Sequence, residues 1–98
     1  MAAKNFSVSQ DDHGIYHLDG ELSIHELGDL RGFLEQSLED EEETVISLAK
    51  VRFIDTAALQ LLIAFRKHSQ PEAKLRISDL SSEVEKILSL CGLKTALL

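Results

Sequence analysis

Apolar and polar positions alternate along Phe6-Ser7-Val8-Ser9, the period of a half-buried strand. Gln10-Asp11-Asp12-His13-Gly14 is turn chemistry, and Ile15-Tyr16-His17-Leu18 reads as a second strand, antiparallel to the first. Asp19-Gly20 breaks that pattern, and Glu21-Leu22 extends the strand briefly beyond it. The period then changes from two to between three and four. Ile24, Leu27, Leu30, Leu34 and Leu38 recur at helical spacing behind a capping box, Ser23 with Glu26. Gly28 and Gly32 either weaken this helix or let it pack closely against a neighbour. The acidic run Glu39-Asp40-Glu41-Glu42-Glu43 ends it as a solvated loop, because negative charge opposes the dipole at a helix C-terminus.

Thr44-Val45-Ile46-Ser47-Leu48-Ala49 is the pattern of a central strand. A further β-prone run, Val51-Arg52-Phe53-Ile54, leads into a helix from Thr56 to about Ser69, which Pro71 cannot continue. The apolar run 59–65 within that helix is core, with Leu62 or Phe65 available to a partner. Leu75-Arg76-Ile77-Ser78 is a fourth strand. Ser82 with Glu85 forms a second capping box, Val84, Ile87, Leu88 and Cys91 mark one helical stripe, and Gly92 stands where a C-cap belongs. Leu93 to Leu98 is a short apolar tail that should pack back on the rest. The order ββαβαβα implies an α/β fold with a mixed sheet of four to five strands and right-handed crossovers, as a single domain over residues 1–98.

Composition narrows the function classes. The chain has 98 residues, 44% of them apolar, and a formal net charge of −7. That charge argues against wrapping nucleic acid or lying on an anionic membrane. No apolar run approaches a membrane span and the N-terminus lacks the core of a signal peptide, so a cytoplasmic location is expected, with no insertion into a membrane. The single cysteine, Cys91, reads as a core residue and excludes an internal disulfide. His13, His17, His25 and His68 match no metal-binding spacing. No metal or cofactor is expected. No phosphate-binding glycine loop or GxSxG elbow is present, and Asp55 with Thr56 lacks a nearby base, so the chain does not read as an enzyme.

The chemistry concentrates at Asp55-Thr56-Ala57-Ala58-Leu59. A strand that turns through an Asp directly into a helix sets a hydroxyl on the first helical turn. There the unpaired N–H groups and the helix dipole favour negative charge. Asp55 reads as the N-cap, and Thr56 as a phosphorylation site or a contact residue in the same place.

Three stretches carry a family resemblance. Leu18-Asp19-Gly20-Glu21-Leu22-Ser23 resembles the "L-x-G-E-L-D" pattern before the first helix of the STAS family, which comprises anti-sigma factor antagonists and related transporter domains. Residues 45–59, ending in Asp55-Thr56-Ala57-Ala58-Leu59, resemble its hallmark strand and "D-S/T-x-G-L" turn, and Cys91-Gly92-Leu93 is similar to its closing "x-G-L". The resemblance implies the STAS fold. It also implies an adaptor that binds a serine/threonine kinase of the anti-sigma type and is phosphorylated by it on Thr56, with a phosphatase reversing the mark. Asp55, Thr56, Ala57, Ala58, Ser23 and Glu21 would then form the partner-binding surface. Ala58 replaces the family's usual Gly, which implies a tighter or more helical turn, and Ser23 replaces a frequent Asp. "D-T-A-A-L" is also similar to chemotaxis-associated STAS regulators and to the STAS subunit of a phospholipid-transport ATPase complex. In that subunit the Thr is a docking contact. A small-molecule or nucleotide sensor using the helix N-terminus is a further alternative, and self-association is left open.

Overall fold

The computed structural model describes residues 5–40, 43–68 and 74–97. Its elements are β1 (Phe6–Gln10), β2 (Tyr16–Leu22), a 3₁₀ turn (Ile24–Glu26), α1 (Leu27–Asp40), β3 (Glu43–Ile54), α2 (Thr56–His68), β4 (Lys74–Leu80), α3 (Ser82–Cys91) and the short α4 (Lys94–Leu97). Among the described residues the sheet has four strands in the order β1-β2-β3-β4. β1 runs antiparallel to β2, and β2, β3 and β4 are mutually parallel. This is the mixed α/β arrangement that the hydrophobic pattern implies. Both crossovers, through α1 and through α2, step the same way across the sheet. Right-handed connections therefore lay these two helices on one face, where they meet.

The core lies between that face and the helices. Leu18 and Leu22 of β2, Ile46, Leu48 and Ile54 of β3, and Leu75 of β4 are fully buried. Leu30 and Leu34 of α1 and Leu59 and Leu62 of α2 cover them. Tyr16 meets Phe33 edge to face, with ring centroids 5.1 Å apart. Leu62 is therefore core, and Phe65 only partly buried. The tail packs back as expected: α4 contacts α2 and α3, and Leu97 is buried.

Several local readings are corrected. Asp19-Gly20 does not interrupt β2; the strand absorbs it with register irregularities on either side. Gly20 has φ +113°, and a Cβ there would collide with the carbonyl oxygen of Asn5, whose chain crosses at this point. Glu21 N donates to that same oxygen at 2.9 Å. The two β-prone runs 44–49 and 51–54 are one strand of 12 residues. Gly28 and Gly32 are exposed, and a Cβ on either would meet nothing, so neither marks close packing. Helix α1 continues through Asp40 and β3 starts at Glu43, so the acidic run is mostly element rather than loop; Glu41 and Glu42 lie outside the described residues. So do Ser69, Pro71 and Leu98.

The cap of α3 is Ser81, not Ser82. Its hydroxyl accepts from Val84 N at 3.1 Å, while Ser82 is already helical. Gly92 is the C-cap at φ +67°, as its position predicted. Cys91, expected in the core, is exposed. The stripe it was assigned to keeps Val84 and Leu88 buried, but Cys91 sits in the final helical position, where the chain turns away through Gly92.

Candidate functional site

The C-terminal ends of β2 and β3 lie side by side, with Leu22 opposite Ile54. Each strand leads directly into a helical turn, so the two turns become neighbours although 31 residues separate them. Asp55 joins them. Its Oδ1 accepts from Ala58 N at 2.9 Å, which caps α2. Its Oδ2 accepts from Ile24 N at 2.7 Å, which holds the other turn. Its own N–H donates to Leu22 O at 3.0 Å. One carboxylate thus satisfies an orphan donor from each of two helical starts.

The second turn is fastened from within. Ser23 Oγ donates to Glu26 Oε1 at 2.6 Å, Ser23 N donates to the same oxygen at 2.9 Å, and His25 N donates to Ser23 Oγ. Asn5 Nδ2 donates to Glu26 Oε2 at 2.9 Å, which ties in the chain before β1. Glu26 is buried, and these bonds, the Ser23 hydroxyl foremost, hold its pKa below the ordinary glutamate value against the opposing effect of burial. The capping box read from the sequence exists, but it opens a 3₁₀ turn rather than the α-helix itself.

Thr56 is the first residue of α2 and is exposed. Its N–H and that of Ala57 precede the first intrahelical bond, which Leu59 N makes to Asp55 O. Ala57 is half-buried and Ala58 fully buried, so Ala58 meets this surface through its backbone alone. With Ala58 in the family's glycine place, the turn is helical from Thr56 onward. Ser23 is brought beside this turn, but its hydroxyl is occupied by Glu26. Glu21 is exposed on β2, opposite Phe53.

Ile24 belongs to this surface and was not legible as such. The helical stripe assigned it to the core, yet it is 60% exposed. The cause is the 3₁₀ geometry of residues 24–26, whose three residues per turn rotate Ile24 off the buried face of α1. Asn5 was also missed as a support. The capping-box pattern signalled the Ser23–Glu26 pair, but no local signal marks a contact with Asn5, 21 residues away. Among the described residues no cluster of His, Cys, Asp and Glu is placed to hold a metal, and no helix is long and apolar enough to cross a membrane.

Comparison with known proteins gives the family. The fold is similar to that of an anti-sigma factor antagonist from Mycobacterium paratuberculosis, with a TM-score of 0.75 at 19% identity over 97% of this chain and 86% of that one. It is also similar to the anti-sigma factor antagonist SpoIIAA in its unphosphorylated form, with a TM-score of 0.66 at 15% identity over 95% of this chain and 85% of that one. No curated protein sequence matches significantly. The STAS domain profile matches residues 7–97, nearly the whole length, and the chain belongs to the STAS domain family.

Proposed function

We propose that this chain is an anti-sigma factor antagonist-like adaptor, acting by binding rather than catalysis, in the cytoplasm. It docks a serine/threonine kinase of the anti-sigma type through Thr56 and its surroundings. The observation that carries this reading is the two-handed grip of Asp55, which fixes exposed Thr56 and exposed Ile24 on neighbouring turns of one surface. Two neighbours in fold are themselves anti-sigma factor antagonists.

The kinase transfers the γ-phosphoryl group of its ATP to Thr56 Oγ1; the hydroxyl proton is lost and ADP leaves. The product carries about −1.5 to −2 charge at the start of a helix, where the dipole tolerates it. The domain therefore stays folded, and the change is felt at the docking surface. Bulk at Thr56 and charge beside Asp55 release the partner, and a phosphatase restores docking. A change of about 1.4 kcal/mol in the contact is a tenfold change in affinity, so a few such units make a switch.

Incubation with the candidate kinase and ATP, followed by phosphosite mapping, should place the mark on Thr56. Thr56→Glu should lose kinase binding while Thr56→Ala keeps it. Equal binding by both variants, or a mark at another residue, defeats the reading. A complex that copurifies without ATP dependence and ignores both variants would select the transport-ATPase subunit instead.

A further inference from the structure

The sheet has two outer edges, and they are built differently. Among the described residues β1 borders one side and β4 the other. β4 bears the exposed charges Arg76 and Asp79, a common guard against pairing with another chain. β1, Phe6-Ser7-Val8-Ser9-Gln10, has no charge and no proline, and its register with β2 is unbroken. Every residue of it except Phe6 is exposed. Val8 shares the core face with Leu18, its partner on β2, yet is 37% exposed, so no helix reaches over this edge.

The hairpin fixes which backbone groups point outward. Glu21 N donates to Asn5 O at 2.9 Å, and Asp11 N donates to Ile15 O at 3.0 Å. Bonded pairs alternate along an antiparallel ladder, so Ser7 and Ser9 turn their N–H and C=O groups toward β2. Phe6, Val8 and Gln10 turn theirs to the free edge. The Gln10 side chain does not block it, because Nε2 folds back to donate to Gly14 O.

This edge complements itself. An antiparallel copy centred on Val8 exchanges both backbone bonds between Val8 and Val8 of the second copy, and between Phe6 and Gln10 of the second copy. On the core face the two Val8 side chains cover each other. On the other face Ser7 lies opposite Ser9 of the second copy, a pairing that hydroxyls favour. Beyond the strand, Asp11 falls opposite Asn5, so no two carboxylates are set against each other. That matters for a chain of net charge −7, whose copies repel over most approaches. We propose that β1 is a self-association edge, and that its occupant is β1 of a second copy of this chain. The product is one continuous sheet across a two-fold axis. Thr56 follows β3, two strands away, so both copies keep it exposed.

The test is sedimentation of the full chain over a concentration series, with amide hydrogen exchange on the same samples. A single strand pair is smaller than a standard interface, so a monomer–dimer equilibrium should appear with a midpoint between about 10 μM and 1 mM. Protection of the Phe6, Val8 and Gln10 amides should rise with concentration. Ser7 and Ser9, already bonded within the hairpin, should not change. Val8→Lys places like charges opposite each other at the axis and should weaken the dimer about tenfold or more, with circular dichroism showing the chain folded. Leu90→Ser, at the most exposed apolar side chain among the described residues, should change it by less than about twofold. The exchange pattern is read on the native chain, so it decides the matter even if Val8→Lys does not fold. The proposal is overturned by a chain that stays monomeric to about 1 mM, by a dimer that a folded Val8→Lys leaves intact, or by concentration-dependent protection centred outside β1.

Discussion

Two aspartates organise turns at opposite ends of β2, and they do it differently. Asp11, in the hairpin before β2, spends its carboxylate within six residues. Oδ1 accepts from His13 N and Ile15 N, and Oδ2 lies 2.8 Å from His17 Nε2. Asp55, after β3, reaches across 31 residues to Ile24 while capping its own helix. The first turn is closed on itself: its bonds stay within the hairpin, and the exposed Asp12 and His13 beside the carboxylate belong to that one segment. The second keeps two elements in fixed relation and leaves Thr56 and Ile24 exposed between them. A turn that serves only to reverse the chain needs local bonds alone. A surface assembled from distant segments needs a bond that spans them.

The comparison can be broken first at its glycines. Gly20→Ala should cost about 3 kcal/mol or more in urea unfolding, because a positive φ and a backbone collision act together. Gly14→Ala, with φ +82° but only a side-chain amide nearby, should cost about 1–2 kcal/mol. Next, Asp55→Ala should cost about 2–3 kcal/mol, since a charged cap and a charged long-range bond are lost together. Asp11→Ala should lower the melting temperature less, and amide exchange should rise only in the hairpin.

Acid sharpens the contrast further. His17, foremost, and backbone donors hold Asp11 at about 2, below its ordinary 3.8. A carboxylate with a depressed folded pKa adds stability that is present above its unfolded value and lost as pH falls through the folded one. Stability should therefore drop as pH falls from about 4 to about 2, and Asp11→Asn should remove its share of that slope. Glu26, also depressed, loses its share as pH falls below its ordinary 4.5, so Glu26→Gln should flatten the same limb near the second turn. The smallest effect lies away from both turns. Gly32→Ala should stabilise by about 0.5–1 kcal/mol in thermal unfolding, because the position is helical, exposed and unobstructed.

Element types and order were legible because each strand and helix carries its own period. β3 is buried at Ile46, Leu48, Val51 and Ile54, and α1 at Leu30 and Leu34, one helical turn apart. Asp55 as a cap and Gly92 as a C-cap were legible for the same local reason. What escaped depends on geometry between segments. The link from Asp55 to Ile24 follows from the parallel register of β2 and β3, which no single window contains. The exposure of Ile24 follows from a change of helix type over three residues.

The lone thiol has a practical corollary. Because Cys91 is exposed and no other cysteine competes, a maleimide fluorophore attaches once per chain, at the last residue of α3. Labelling there leaves Thr56 and Val8 chemically untouched. One dye-bearing preparation can then report encounters at either location by energy transfer, without engineering the native sequence.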